Sequence, residues 1–87
     1  SITKMECFIA LSNYTMALQI GEKLIQQENL NLFADKALFL SAQIYQFGIS
    51  SDKKAKELYE QLLIKHPGSL YLDKAREEIN YLRNKLS

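Results

Sequence analysis

Cys7 and His66 are the one thiol and the one imidazole of the chain, and a nucleophile–base pair would need both. They stand 59 residues apart (66 − 7), and no third group is spaced to orient the base, as nucleophilic catalysis requires. A buried structural cysteine on an apolar helix, and a histidine that meets carbonyls at a helix end, account for both without chemistry. One cysteine and one histidine also fall short of the four ligands that a structural zinc site takes. Glu77 and Glu78 are adjacent, so on a helix they point about 100° apart and do not converge. Glycine-rich phosphate loops are absent. Lys53, Lys54 and Lys56 cluster where a helix begins and oppose its dipole, which suits a solvated face better than a phosphate contact. Asn13-Tyr14-Thr15 fits the N-glycosylation triplet, a pattern short enough to arise by chance. The sequence therefore offers no catalytic residue, no cofactor site and no metal site.

What remains is a question of fold. The chain has 87 residues, 47% of them hydrophobic and 24% charged, the balance of one ordinary globular domain. Its net charge of +1 is far from the basic excess that phosphate neutralisation needs, so no nucleic-acid partner is expected. No apolar run approaches the eighteen or so residues of a membrane helix, so no direct membrane insertion is expected. A single cysteine forbids an internal disulfide and fits a cytoplasmic location, or equally a bacterial periplasm or cell envelope. The chain opens on Ser1, which suggests a piece of a longer protein.

Glycine and proline are scarce (Gly21, Gly48, Gly68 and Pro67), which points to helices with short connections. Leu32-Phe33-Ala34-Asp35-Lys36-Ala37 recurs as Leu70-Tyr71-Leu72-Asp73-Lys74-Ala75, 38 residues on (70 − 32). The same step pairs Ala17 with Ala55, Glu22 with Glu60, Leu24 with Leu62, and Ile25 with Leu63. Fixed spacing across two elements is the signature of stacked repeats. Ala17, Ile20, Leu24 and Ile25 form one stripe over 13–27, and Ala55, Leu58, Tyr59, Leu62 and Leu63 form another over 52–64. Between them, 32–47 is apolar around most of its circumference, as a helix covered on two sides must be. Gly48 is expected to end that helix in the left-handed conformation. Ser50, Ser51 or Asp52 is expected to cap the next helix, and His66-Pro67-Gly68-Ser69 to stop it. Ser69 is expected to cap a last helix over about 70–85, buried through Leu72, Ala75, Ile79, Leu82 and Leu86. The polar outer face of that helix (Arg76, Glu77, Arg83, Asn84) suits the closing element of an array. At the other end Ile2, Met5, Phe8 and Ile9 make a short helix, about ten residues long. The spacing predicts an all-α domain of about five helices over 1–87, with a partial first unit 1–29, a second unit 30–68 and a capping helix 69–87.

Ala42, Tyr45, Ala55, Tyr59, Leu62 and Pro67, in that order, resemble the consensus of the tetratricopeptide repeat, with one extra residue in the turn between Tyr45 and Ala55. Met5, Phe8, Ala17, Gly21, Leu24 and Asn29 form a weaker first copy. His66-Pro67-Gly68-Ser69-Leu70-Tyr71 with Lys74-Ala75-Arg76 is similar to the closing segment of bacterial envelope members of that family. The resemblance implies antiparallel helix-turn-helix units in a right-handed superhelix, and a module that binds a peptide or partner protein on the concave face of the first helix of each unit. The residues it places there are Lys36, Phe39, Gln43, Gln46 and Phe47, with Lys74, Tyr81, Glu77, Asn84 and Lys85 from the last helix and Glu6, Ile9 and Ala10 from the first. Aromatic rings would supply buried area and amides would pair with a peptide backbone. The alternative is a structural or homo-oligomerising segment whose apolar surface is covered by neighbouring repeats or a second copy.

Overall fold

The structure, a computed structural model, describes residues 1–27 and 33–87. Asn29, Leu32 and the boundary between the first two sequence units lie outside the described residues. The described residues form five α-helices and no strand: α1 (Ile2–Ala10), α2 (Tyr14–Gln26), α3 (Ala34–Gln43), α4 (Asp52–Lys65) and α5 (Leu72–Leu86). The expected all-α class and helix number are therefore present. None of these helices is long and apolar enough to cross a membrane. Each packs chiefly on the helix before it and the helix after it.

Backbone geometry repeats with the step read from the side chains. α2 begins at Tyr14 and α4 at Asp52; α3 begins at Ala34 and α5 at Leu72. Before α2 stand Ser12, with φ 58°, and Asn13, with φ −91° and ψ 77°. Before α4 stand Ser50, with φ 63°, and Ser51, with φ −101° and ψ 80°. A left-handed serine followed by an extended residue thus turns the chain twice in the same way. Gly48 does not take the left-handed conformation expected of it, since no glycine has positive φ among the described residues; Ser50 takes it, two residues later.

The reason is a π-helical turn, Ile44–Gly48, that prolongs α3. Tyr45 to Ala55 is one residue longer than Phe8 to Ala17. A π turn absorbs one residue by closing i→i+5 bonds, and the N–H of Ile49 donates to the Ile44 carbonyl at 2.9 Å. The extra residue therefore sits inside the helix, and the turn itself keeps its length. Gly48 is needed for closeness instead: a Cβ there would lie 2.8 Å from the Tyr14 ring.

Two apolar clusters meet on α3. Ala37 and Ile44 pack with Ile2, Met5, Ala17 and Leu24 of the first hairpin. Leu38, Phe39 and Ala42 pack with Ala55, Leu58, Tyr59 and Leu62 of α4 and Ala75, Ile79 and Leu82 of α5. The middle helix is thus covered on two sides, as its composition requires. Bulk is exchanged between the hairpins: Met5 fills the space over Gly21 in the first, and in the second the large residue is Tyr59, with Ala42 at the place of Met5.

The ends show three departures from expectation. Neither Ser51 nor its neighbours give α4 a side-chain cap bond. α5 starts at Leu72, because the Ser69 hydroxyl accepts from the Tyr71 N–H at 3.1 Å in a turn and donates to Asp35 Oδ2 at 2.7 Å. Leu86 is exposed, since α5 runs past the start of α4, where Lys85 meets Asp52 at 2.9 Å. Arg76, Glu77, Arg83 and Asn84 are exposed as expected.

Gly21 tests the packing. A Cβ there would lie 2.6 Å from Met5 Cε and 2.8 Å from Ser41 Oγ, both side-chain ends that can move. Gly21→Ala should change stability little, because about 1 kcal/mol of gained helix propensity offsets the shift. Gly21→Leu should lose about 2–3 kcal/mol by overpacking, partly recovered by adding Met5→Ala, as measured by urea unfolding.

Candidate functional site

Of the residues placed on the concave face, Lys36, Phe39, Gln43, Gln46, Phe47, Lys74 and Tyr81 separate into three groups. Lys36, Phe39 and Gln43 lie on α3, and Gln46 and Phe47 on its π-helical extension. Phe39 and Gln46 are turned under α4 and α5, whereas Gln43 and Phe47 face the first hairpin.

Phe39 is only 7% exposed. Its ring stacks on Tyr71 with centroids 4.8 Å apart and meets Tyr59 edge-on at 5.9 Å. It is a core residue and not an anchor for a ligand. Gln46 is also 7% exposed. Its Oε1 accepts from the Tyr59 hydroxyl at 2.7 Å, and its Nε2 donates to Glu78 Oε1 at 2.7 Å. Both ends of the amide are engaged inside the fold, so Gln46 joins α3, α4 and α5 and does not offer itself to a peptide.

Lys74 continues this chain from outside. Its ammonium lies 3.2 Å from Glu78 Oε2 and 3.6 Å from Glu77. The hydrogen bond and charge of Glu78, with the charge of Glu77, hold its pKa above the ordinary lysine value. Tyr81 is exposed on the same helix, with Lys85 Nζ 5.9 Å from its ring centroid. Lys85 is itself held above the ordinary lysine value by its bond to Asp52. Lys36 spans α3 and α1 through Glu6 at 3.3 Å.

Gln43 and Phe47 are the two that line a depression. It lies between α1 and α3, has a volume of about 260 Å³, and is walled by Ile9, Tyr14, Leu40, Gln43, Ile44, Phe47 and Gly48. Phe47 is 67% exposed at its rim. Ile9 was among the sequence expectations; Tyr14, Leu40, Ile44 and Gly48 were not. Leu40 and Ile44 read simply as core on a helix apolar all round, and Tyr14 arrives from α2 only because Gly48 lets its ring approach. Two other depressions carry charge of both signs: one between α2 and α4 holds Glu22 and Lys54, and one between α4 and α5 holds Lys53, Lys56, Arg83, Glu57 and Glu60.

The residues considered for chemistry lie apart from this groove. Cys7 is exposed, contrary to the buried place expected for it, because Ile2 and Met5 take the buried side of α1. His66 follows the last residue of α4, where its N–H donates to the Leu62 carbonyl. Among the described residues no group of three or more His, Cys, Asp or Glu is placed to hold a metal ion. Compared with protein-family models, curated proteins and solved structures, the chain finds no match in any of the three.

The buried polar chain generates two predictions. Gln46→Leu leaves the fully buried Tyr59 hydroxyl without its acceptor and should cost about 2 kcal/mol. Gln46→Leu with Tyr59→Phe should cost less than the sum of the single changes, measured as a double-mutant cycle by urea unfolding. Burial, aided by the Glu78 carboxylate, also pushes the Tyr59 phenol far above its ordinary pKa. The unfolded phenol releases its proton near pH 10 while the folded one keeps it, so the unfolded state binds fewer protons and stability falls with rising pH. This contribution is fully present below about pH 10 and is lost as pH climbs towards the folded value. Wild type should therefore lose stability more steeply than Tyr59→Phe above about pH 10, and the 295 nm difference titration should show one phenol that ionises with unfolding.

Proposed function

We propose that this chain is a tetratricopeptide-like segment of a right-handed helical superhelix, and that it holds a peptide of a partner protein in the groove between α1 and α3. The observation that carries the reading is the groove itself: an uncharged, largely apolar depression on the outer stripe of α3, with the Phe47 ring exposed at its edge and the Gln43 amide in its wall. The repetition of helix starts and of the left-handed serine turns supports the repeat architecture.

In this reading an apolar side chain of the ligand rests against Ile9, Leu40 and Ile44. Phe47 covers it from the rim, and Gln43 pairs with the ligand backbone. Lys36, Lys74 and Tyr81 belong to the surrounding surface, where they orient an incoming chain and bury little area. A depression of this size holds one or two side chains, so affinity in the micromolar to millimolar range follows.

The test begins with a displayed library of random peptides selected on the wild-type chain. Selected peptides should perturb the backbone amide resonances of Ile9, Gln43 and Phe47. Gln43→Ala with Phe47→Ala should weaken them at least about ten-fold while the unfolding free energy from urea titration stays within about 0.5 kcal/mol of wild type. Unchanged binding by that double variant, or perturbation confined to other surfaces, would remove the groove from the proposal.

A further inference from the structure

Charge is unevenly spread along the chain. Residues 7–21 and 37–51 contain no Asp, Glu, Lys or Arg, although 24% of the chain is charged. The first stretch runs from the end of α1 through the turn into α2, and the second from α3 through its π-helical extension to the next turn. These elements pack on one another, and every residue in the wall of the groove comes from the two stretches. Leu11, Met16, Phe47 and Ile49, all within them, are large apolar residues that remain exposed. Among the exposed residues of the same stretches are the uncharged polar Ser12, Asn13, Thr15 and Ser50. The ends of α1 and α3 and the start of α2 meet at the groove, so helix ends of both signs offset one another and select no charged occupant. An apolar centre depleted of charge, with a polar rim, is the anatomy of a protein interface.

Symmetry indicates the partner. A two-fold axis sets each residue near it against its own copy, so a charge there meets a like charge. A surface without charge escapes that repulsion, and a net charge of +1 does little to hold two copies apart. Shape agrees: the Phe47 ring, 67% exposed, stands at the rim of a depression of about 260 Å³, so a projection and a recess lie side by side on one face. We propose that two copies of this chain pair on this face about a two-fold axis, the Phe47 ring of each entering the other's groove against Ile9, Leu40 and Ile44. The other two depressions have charged walls and offer no such face. In the pair, the second copy's ring stands where a ligand's apolar side chain would rest, so pairing and peptide exclude one another. That exclusion rests on the peptide-binding reading; the pairing itself does not.

Sedimentation velocity of the whole chain from about 10 μM to about 1 mM, the range expected of a small interface, should show the average mass rising from 10.0 kDa towards twice that value. In a mixture of isotope-labelled and unlabelled wild-type chains, filtered NOEs should join the Phe47 ring of one copy to methyl groups of Ile9, Leu40 or Ile44 in the other. Phe47→Lys sets two like charges at the contact and should weaken pairing at least about ten-fold. Its urea midpoint should match wild type, because the ring is exposed. A library-selected peptide should return the average mass to that of one chain. A chain that stays monomeric over this range, pairing unaltered by Phe47→Lys, or filtered NOEs that miss Phe47 overturns the inference while the peptide groove stands. If Phe47→Lys does not fold, the wild-type NOEs decide alone. Peptide bound with the pair intact also overturns it. Pairing with these NOEs, but no peptide that moves Ile9, Gln43 or Phe47, keeps the pair and removes the peptide-binding reading. Phosphatidylcholine vesicles that bind through these residues while no pair forms would assign the surface to lipid and overturn the inference.

Discussion

A helix that is apolar around nearly its whole circumference cannot face water on more than a narrow strip. α3 is such a helix, and the rest of the structure follows from covering it. Ala37 and Ile44 require a layer on one side, which α1 and α2 supply. Leu38, Phe39 and Ala42 require another, which α4 and α5 supply. Each covering hairpin then needs apolar groups on only one face, and α2 and α4 are built in that way. The strip left over holds Gln43 and Phe47, and the groove opens along it. The candidate site is therefore the residue of a packing problem: the part of α3 that two hairpins of this length do not reach.

Covering α3 from two sides creates a second demand. At the level of Gln46, helices α3, α4 and α5 come together, and Tyr59 brings a hydroxyl into a place with no water. A buried hydroxyl without a partner is destabilising by more than a formed hydrogen bond contributes. Gln46 meets the demand with one end of its amide and hands the other to Glu78, whose second oxygen faces Lys74 at the surface. The chain of bonds runs from core to solvent. Asp35 and Ser69 make a smaller tie of the same kind between the starts of α3 and α5.

Much of this was legible in the sequence because it is periodic. The 38-residue step appeared first in side chains such as Leu24 and Leu62, and helix starts and turn dihedrals then repeated with the same step. The stop at His66-Pro67 and the polar outer face of α5 were also legible, since proline chemistry and one-sided burial are local properties. What escaped depended on one inserted residue and on distant partners. The insertion before Gly48 could be counted, but nothing in composition says whether a turn lengthens or a helix takes a π turn. The glycine was consequently read as a cap, when its hydrogen makes room for Tyr14. Phe39 and Gln46 were placed on the groove by the family resemblance, yet a modest rotation about the helix separates a rim from a core, and both are buried. Which side of that boundary they occupy is set by α5, more than twenty residues away. Cys7 was misplaced for the opposite reason: α1 is short and covered on one side only, so an apolar neighbourhood in sequence did not mean burial in space.

Gly48 shows how closely fold and groove are joined. The π turn ends on it, and Tyr14, the first residue of α2, lies across it with ring atoms 2.8 Å from where a Cβ would stand. Any side chain there would push Tyr14 away, and Tyr14 is both a wall of the groove and part of the packing that seats the first hairpin on α3. One close approach thus sets how near the first hairpin comes and how deep the depression is. A groove made by separate, flexible loops would let one be changed without the other. In this chain the same contact serves both, so the shape of the depression is held by the core, and under the proposed reading little of a ligand's binding free energy would be needed to form it.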